Sequence, residues 1–274
     1  MYAPLELSAI TKNFPTPVGP FTAIQNVSAR IYEGEFVCIL GHSGCGKSTL
    51  LSIIAGLERA TLGGVIIEGT EVDGPGAERA VVFQTPSLLP WLSARRNVRL
   101  AVDQVKSGKT RGQRADLVER YLQLLGIGDA ADQLPDELSL GTQQCVSMAR
   151  ALAVEPRFLL LDEPFSMLDS LTRFDLQNTL LQVWEEDRRI VVMVTHDIDE
   201  ALYLADRLIL MTDGPAARVG EILDIPFPRP RRRSAVLSHP RYHECRRHVI
   251  EFLEHHADQS RSGSHVATGG QLPV

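Results

Sequence analysis

Long apolar runs are missing from this chain of 274 residues. The longest, such as residues 190–194, fall far short of the roughly 18 consecutive apolar residues that a membrane helix needs, so no transmembrane segment is expected. The N-terminus, Met1-Tyr2-Ala3-Pro4-Leu5-Glu6, lacks the basic stretch and apolar core of a secretory signal, and a cytoplasmic location is the expectation. Cysteine is scarce: Cys38, Cys45, Cys145 and Cys245 lie far apart with no C-x-x-C pair. That argues against a zinc site or a disulfide framework, and free thiols are expected. Excess positive charge is also absent, with 28 Lys plus Arg against 34 Asp plus Glu and a net charge of -6, which speaks against nucleic acid as a partner. No internal repeat is visible. What remains is ordinary globular composition, 44% hydrophobic and 23% charged, which excludes fibrous, collagenous and wholly disordered chains and allows one large domain or two modest ones.

Residues 35–41, Glu-Phe-Val-Cys-Ile-Leu-Gly, read as a buried strand closed by glycine, and residues 48–57 carry helix formers with an apolar face. Further aliphatic runs at 81–83, 158–161, 190–194 and 208–211 alternate with helical stretches at 171–186 and 199–205. Such runs suit interior strands of a mostly parallel sheet covered on both faces, an α/β fold. Between residues 88 and 152 the spacing turns mostly helical, including 114–125, and predicts a helical subdomain inserted into the sheet domain. Pro226, Pro228 and Pro230, interleaved with arginines, mark a boundary near residue 235. A C-terminal extension, 236–274, is predicted to hold a short helix around 243–254 and a disordered tail from residue 258.

The run Gly41-His42-Ser43-Gly44-Cys45-Gly46-Lys47-Ser48 fits G-x-x-x-x-G-K-[ST] between a predicted strand and a predicted helix, the context that a phosphate-binding loop demands. Glycines let successive backbone N–H groups turn toward one centre, and the helix N-terminus adds partial positive charge. Lys47 is expected to reach the β and γ phosphates of a nucleotide, with the Ser48 hydroxyl on Mg²⁺. His42 and Cys45 occupy positions where backbone does the binding. Downstream, the apolar run 158–161 ends in Asp162-Glu163, two carboxylates at the carboxyl end of a strand, where ligands gather. Asp162 fits a Mg²⁺ contact, and Glu163 a base that takes a proton from the attacking water.

With these residues the chain resembles the nucleotide-binding subunit of an ABC transporter over about residues 5–235. Gln84 resembles the glutamine loop, Leu138-Ser139-Leu140-Gly141-Thr142-Gln143-Gln144 the signature loop, Ser166-Met167-Leu168-Asp169 the D-loop, and Val194-Thr195-His196-Asp197 the switch-histidine strand. The resemblance implies a P-loop NTPase core, an antiparallel β subdomain near the N-terminus, ATP and Mg²⁺ as cofactors, and ATP hydrolysis as the activity. It implies Gln84 as a contact to Mg²⁺ and the attacking water, His196 as the γ-phosphate sensor, and Phe14 stacking on adenine, with Phe21 the rival. Thr49 completes the loop's contacts, Asp169 belongs to the nucleotide site, and Ser139 and Gly141 touch the γ phosphate held by the opposing subunit. The implied partners are membrane permease subunits, a solute-binding protein acting indirectly, and a second copy or a sister ATPase, at the cytoplasmic side of the inner membrane. Two departures stand out: Leu140 replaces the usual second glycine after serine, and Cys145 stands where arginine is usual.

Gly74-Pro75-Gly76-Ala77-Glu78-Arg79, Ser87-Leu88-Leu89-Pro90-Trp91-Leu92 and the tail His239-Pro240-Arg241-Tyr242 are similar to the nitrate, cyanate, sulfonate and taurine importer branch, nitrate or cyanate fitting best. Residues 87–92 suit a grip on the permease. The altered signature loop leaves a weakly hydrolysing regulatory subunit as an alternative, and a soluble ABC protein acting on nucleic acid is another. From residue 229 to 247 there are seven arginines against one acid, read as a solvated surface. His239, His243 and His248 have a spacing that one helix face could share, without the companion ligands of a metal set.

Overall fold

The computed structural model describes residues 3–264. Strands β1 (Leu5–Thr16) and β2 (Gly19–Ile31) form an antiparallel hairpin in which Leu5 faces Ile31 and Phe14 faces Phe21. Val27, Ala29 and Ile31 are buried while Ser28 and Arg30 are exposed, the period-two pattern of a sheet with one wet face. After β3 (Phe36–Leu40) and α1 (Lys47–Ala55), β4 (Leu62–Ile67) and β5 (Thr70–Glu71) complete a four-stranded sheet in the order β2-β1-β4-β5.

Strand β6 (Arg79–Val82) leads into α2 (Ala94–Val105), α3 (Arg111–Leu124) and α4 (Leu140–Leu152). Each of these helices starts on a side-chain cap: Ser93 accepts from Arg96 N–H, Thr110 from Gln113 N–H within a reciprocal capping box, and Ser139 from Thr142 N–H. The chain then returns through β7 (Phe158–Asp162), α5 (Ser170–Asp187), β8 (Ile190–Thr195), α6 (Ile198–Leu204), β9 (Arg207–Met211) and β10 (Val219–Asp224). The second sheet has the order β10-β9-β3-β8-β7-β6, parallel except for β10 against β9. Its central strands are buried along nearly their whole length and feed two cores. Val37 and Ile39 face α1 and the antiparallel sheet, whereas Phe36, Cys38 and Leu40 face the helical side. Each large aliphatic side chain so buried contributes about 1.5–3 kcal/mol.

The prolines after Ile225 do not end the packed structure. Helices α7 (Arg233–Leu237) and α8 (Tyr242–Ser264) follow, and Ile225, Phe227, Val236, Tyr242, Cys245 and Val249 enter the same core as Phe36. These apolar positions give the segment a face to bury, which the proline signal hid. The disorder expected from residue 258 gives way to helix as far as Ser264, and residues 265–274 lie outside the described residues. The three histidines take separate partners: His239 lies edge-on to Phe227, His243 to Tyr242, and His248 Nε2 sits 2.8 Å from Glu221 Oε1.

Candidate functional site

Register decides what meets at the sheet's edge. Leu40 of β3 pairs with Thr195 of β8, Asp162 of β7 with Val194, and Val82 of β6 with Leu161. The segments that leave these strands carry the phosphate loop, Asp162-Glu163, His196 and Gln84, so the parallel sheet delivers all four to one edge.

Within the loop, Gly44 and Gly46 take φ 81 and 94, which side chains rarely adopt. At Gly46 a Cβ would also lie 2.5 Å from Ile24 Cγ2, because β2 of the antiparallel sheet rests against the loop there. Lys47 is buried, its ammonium donating to the carbonyls of Gly41 at 2.7 Å and His42 at 2.9 Å. The loop's own carbonyls thus face inward to the lysine, while Ser43 and Gly44 are exposed at the tip. His42 turns to Asp213, Nδ1 to Oδ1 2.7 Å, and Cys45 is buried beneath the loop, where burial pushes its thiol pKa up. Thr49 is half-buried in the first turn of α1.

Ser48 Oγ donates to Asp162 Oδ1 at 2.8 Å, joining the loop to β7. Burial pushes the Asp162 carboxyl above its usual range, the Glu163 carboxylate adds to the rise, and the Ser48 hydrogen bond and Lys47 oppose it. An oxygen-rich corner that disfavours its own negative charge suits a hard cation. Glu163 stands at φ 44, a left-handed conformation that costs a non-glycine residue about 1–2 kcal/mol. Its N–H donates to Val194 C=O at 2.9 Å, and its C=O accepts from Ser166 Oγ at 3.0 Å, which holds the turn. The Glu163 carboxylate is therefore aimed: Oε2 lies 3.1 Å from His196 Nδ1 and accepts from Gln84 Nε2 at 3.3 Å. Gln84 Nε2 also reaches Ser166 Oγ at 3.4 Å.

The segment after β6 is anchored by α4. Gln144 Nε2 donates to Phe83 C=O at 3.2 Å, and Arg150 donates to the carbonyls of Pro86 and Ser87 at 3.2 and 3.0 Å. Sequence reasoning gave Gln144 only as the end of the signature loop and passed over Arg150, since no local pattern links residues 61 and more positions apart. Trp91, beyond this segment, is 70% exposed.

Ser139, Gly141 and Asp169 form a second group. They line a cleft of about 520 Å³ between α4 and α5, together with Cys145, Leu168 and Thr172, and no residue of the phosphate loop borders it. Asp169 caps α5, accepting from the N–H groups of Leu171 and Thr172, and the Thr172 hydroxyl holds its carboxyl below the usual range. Leu140 is the first residue of α4, 43% exposed, and it is not among the residues with positive φ. The leucine therefore needs no glycine-like backbone. Cys145 is buried, its thiol raised to about 11 by desolvation. Phe14 is half-buried at the end of the β1–β2 hairpin, with the Lys12 ammonium 4.9 Å from its ring centroid, and Phe21 is 46% exposed. Ile24 of the same hairpin touches the loop, so this end of β1 and β2 lies toward the phosphate loop.

A family model described as ABC transporter matches residues 24–166. The nitrate import ATP-binding protein NrtD of Synechococcus elongatus is 49% identical over 249 residues, 91% of each chain. The nitrate transport protein NasD of Klebsiella oxytoca is 49% identical over 91% of this chain and 95% of its own, and the bicarbonate transport ATP-binding protein CmpD of Synechococcus elongatus is 47% identical over 89% and 88%. Among solved structures, the dimeric bacterial ABC transporter cassette MJ0796 superposes with a TM-score of 0.74 at 33% identity, covering 82% of this chain and all of that one. A parallel sheet that brings a phosphate loop, paired carboxylates, glutamine and histidine to one edge, a helical segment carrying the signature serine, and these relatives lead to one conclusion: the chain is an ATP-binding member of the ABC transporter family.

Proposed function

We propose that this chain is the ATP-hydrolysing subunit of an importer for a small oxyanion of the nitrate and bicarbonate class. The observation that carries the hydrolytic part is Glu163 held between Gln84 and His196, one residue beyond the Ser48–Asp162 contact. The solute class rests on likeness to NrtD, NasD and CmpD, because a motor subunit need never touch the solute.

ATP enters with its phosphates on the backbone N–H groups of residues 41–48 and the N-terminus of α1, and Lys47 exchanges its carbonyl partners for phosphate oxygens. Ser48 and Asp162 would hold Mg²⁺ as oxygen ligands, the family resemblance adds Gln84 to that set, and the ion would supply charge neutralisation at the phosphates. Glu163 accepts the proton of the attacking water, Gln84 orients that water, and His196 contacts the γ phosphate while fixing the carboxylate. Phe14 carries the adenine. Ser139, Gly141 and Asp169 form a cleft apart from the loop, so we assign them to the nucleotide of a facing subunit, a second copy or a sister ATPase. Among the described residues no helix is long and apolar enough to cross a membrane. On its likeness to NrtD and NasD we assign the subunit as a peripheral partner of separate permease subunits, on the cytoplasmic face, with the exposed segment around Trp91 as the contact.

Glu163→Gln tests the hydrolytic reading: it should keep ATP binding while slowing turnover by about 10²–10⁴, the scale of a positioned base. Normal turnover in that variant refutes the assignment. Uptake of labelled nitrate, bicarbonate and taurine by cells carrying or lacking this subunit tests the solute class, and taurine uptake alone would move it to the sulfonate group.

A further inference from the structure

Three arginines of the stretch after residue 228, Arg229, Arg231 and Arg233, are turned inward, while Arg232, Arg241 and Arg247 lie on the expected solvated surface. Arg231 is 7% exposed and donates to the carbonyls of Tyr203 and Ala205, Arg229 donates to Leu204 C=O and Asp206, and the Arg233 guanidinium lies 4.1 Å from the Tyr203 ring centroid. Those three carbonyls belong to the C-terminal end of α6, where a helix leaves its acceptors unpaired and favours cations. At the other end, Asp199 in the first turn of α6 accepts from Tyr242 Oη at 2.7 Å and from Arg246 Nε at 2.8 Å. A helix of seven residues is too short to persist on its own hydrogen bonds, so its position depends on such outside contacts. The residue that caps it is Asp197, which accepts from Glu200 N–H at 3.0 Å and pairs with Arg173, and the residue before that cap is His196.

We propose that Arg229, Arg231, Arg233, Tyr242 and Arg246 are positioning residues for the γ-phosphate site: by holding both ends of α6 they fix Asp197 and, through it, the distance between His196 and Glu163. These residues then act on hydrolysis without touching nucleotide, and part of a stretch whose composition reads as a solvated surface serves an internal contact. The proposal rests on the reading of Glu163 and His196 as the hydrolytic pair.

The test uses the full chain with Tyr242→Phe combined with Arg246→Gln, which strips both donors from Asp199 while leaving the ring in the core. ATP affinity and melting temperature are expected to stay close to the parent, and kcat to fall about three- to tenfold at unchanged KM, the scale of a modest misplacement at a reacting centre. Arg246→Lys should restore most of the loss in the Arg246→Gln single variant. In a His196→Ala background the same pair of substitutions should cost nothing further, because residues acting through one group are not additive. Unchanged kcat, or an equal loss in the His196→Ala background, overturns the proposal. If the double variant melts early, Arg246→Gln alone carries the test, since that side chain is half-exposed. Normal turnover in Glu163→Gln and His196→Ala themselves would bring down the hydrolytic reading together with the proposal. Loss there with no effect of the pair would bring down the proposal alone.

Discussion

Glu200 lies on α6, 5% exposed, with Gln177 Nε2 donating to its carboxyl at 3.1 Å. Burial pushes its pKa from the ordinary 4.5 to about 7; the Asp197 carboxylate adds to the rise, and Thr195, Arg173 and Gln177 oppose it. Between those two values the folded chain keeps a proton that the unfolded chain releases, so stability falls as pH rises from 4.5 through about 7. At about 1.4 kcal/mol per pKa unit the whole shift is worth on the order of 3 kcal/mol. Part of it is already spent by mildly acid pH, and linkage leaves about 2 kcal/mol to be lost between about pH 5.5 and about pH 8.5. Glu200→Gln keeps the shape and the bond from Gln177 but cannot ionise. The difference in unfolding free energy between variant and parent should therefore shift in the variant's favour by about 2 kcal/mol over that interval, other groups cancelling in the comparison. Urea unfolding followed by fluorescence is the assay, and the buried Trp184, packed against Phe36 with centroids 5.8 Å apart, is its reporter. A difference that stays constant with pH, or moves against the variant as pH rises, would refute the reasoning and mean that Glu200 is ionised in the fold and held by Arg173.

Lys47→Ala should weaken ATP binding about ten- to a hundredfold in calorimetric titration, the range for charge-assisted hydrogen bonds. Gly46→Ala meets both a clash with Ile24 and a disfavoured φ and should destabilise by about 2–4 kcal/mol in chemical unfolding, whereas Gly44→Ala, with nothing within 4 Å of the added carbon, should cost only about 1–2 kcal/mol. Leu140→Gly should change turnover measured with the permease present by less than about tenfold, under about 1.4 kcal/mol of barrier, because Leu140 already fits the first turn of α4. A much larger gain would favour the weakly hydrolysing regulatory alternative.

The parallel strands and the loop were readable because both signals are local: continuous aliphatic runs mark strands covered on both faces, and the phosphate loop is a single peptide motif. The antiparallel sheet was reached only through family resemblance, although the alternation of Val27, Ala29 and Ile31 was there to read. Strand β1 blurs the same pattern, since register shifts between Leu7 and Asn13 break its period of two. At the C-terminus the prolines and arginines spoke for a surface boundary. Only the three-dimensional neighbours Tyr203 and Asp206 explain why Arg229 and Arg231 are tolerated inside. Bicarbonate beside nitrate among the relatives lay beyond the sequence reading too, as a motor subunit need never touch the solute.

The register Leu40–Thr195, Asp162–Val194 and Val82–Leu161 makes the parallel sheet a measuring rule for the site. Sliding β8 past β7 by one residue would carry His196 about 3.3 Å from Glu163 and turn every β8 side chain to the opposite core. Intermediate settings do not exist, because ladder hydrogen bonds allow only whole steps. Gradual change in this site must therefore come from the loops and helices hung on the strand ends, and the spacing between its chemical groups is inherited as a fixed unit.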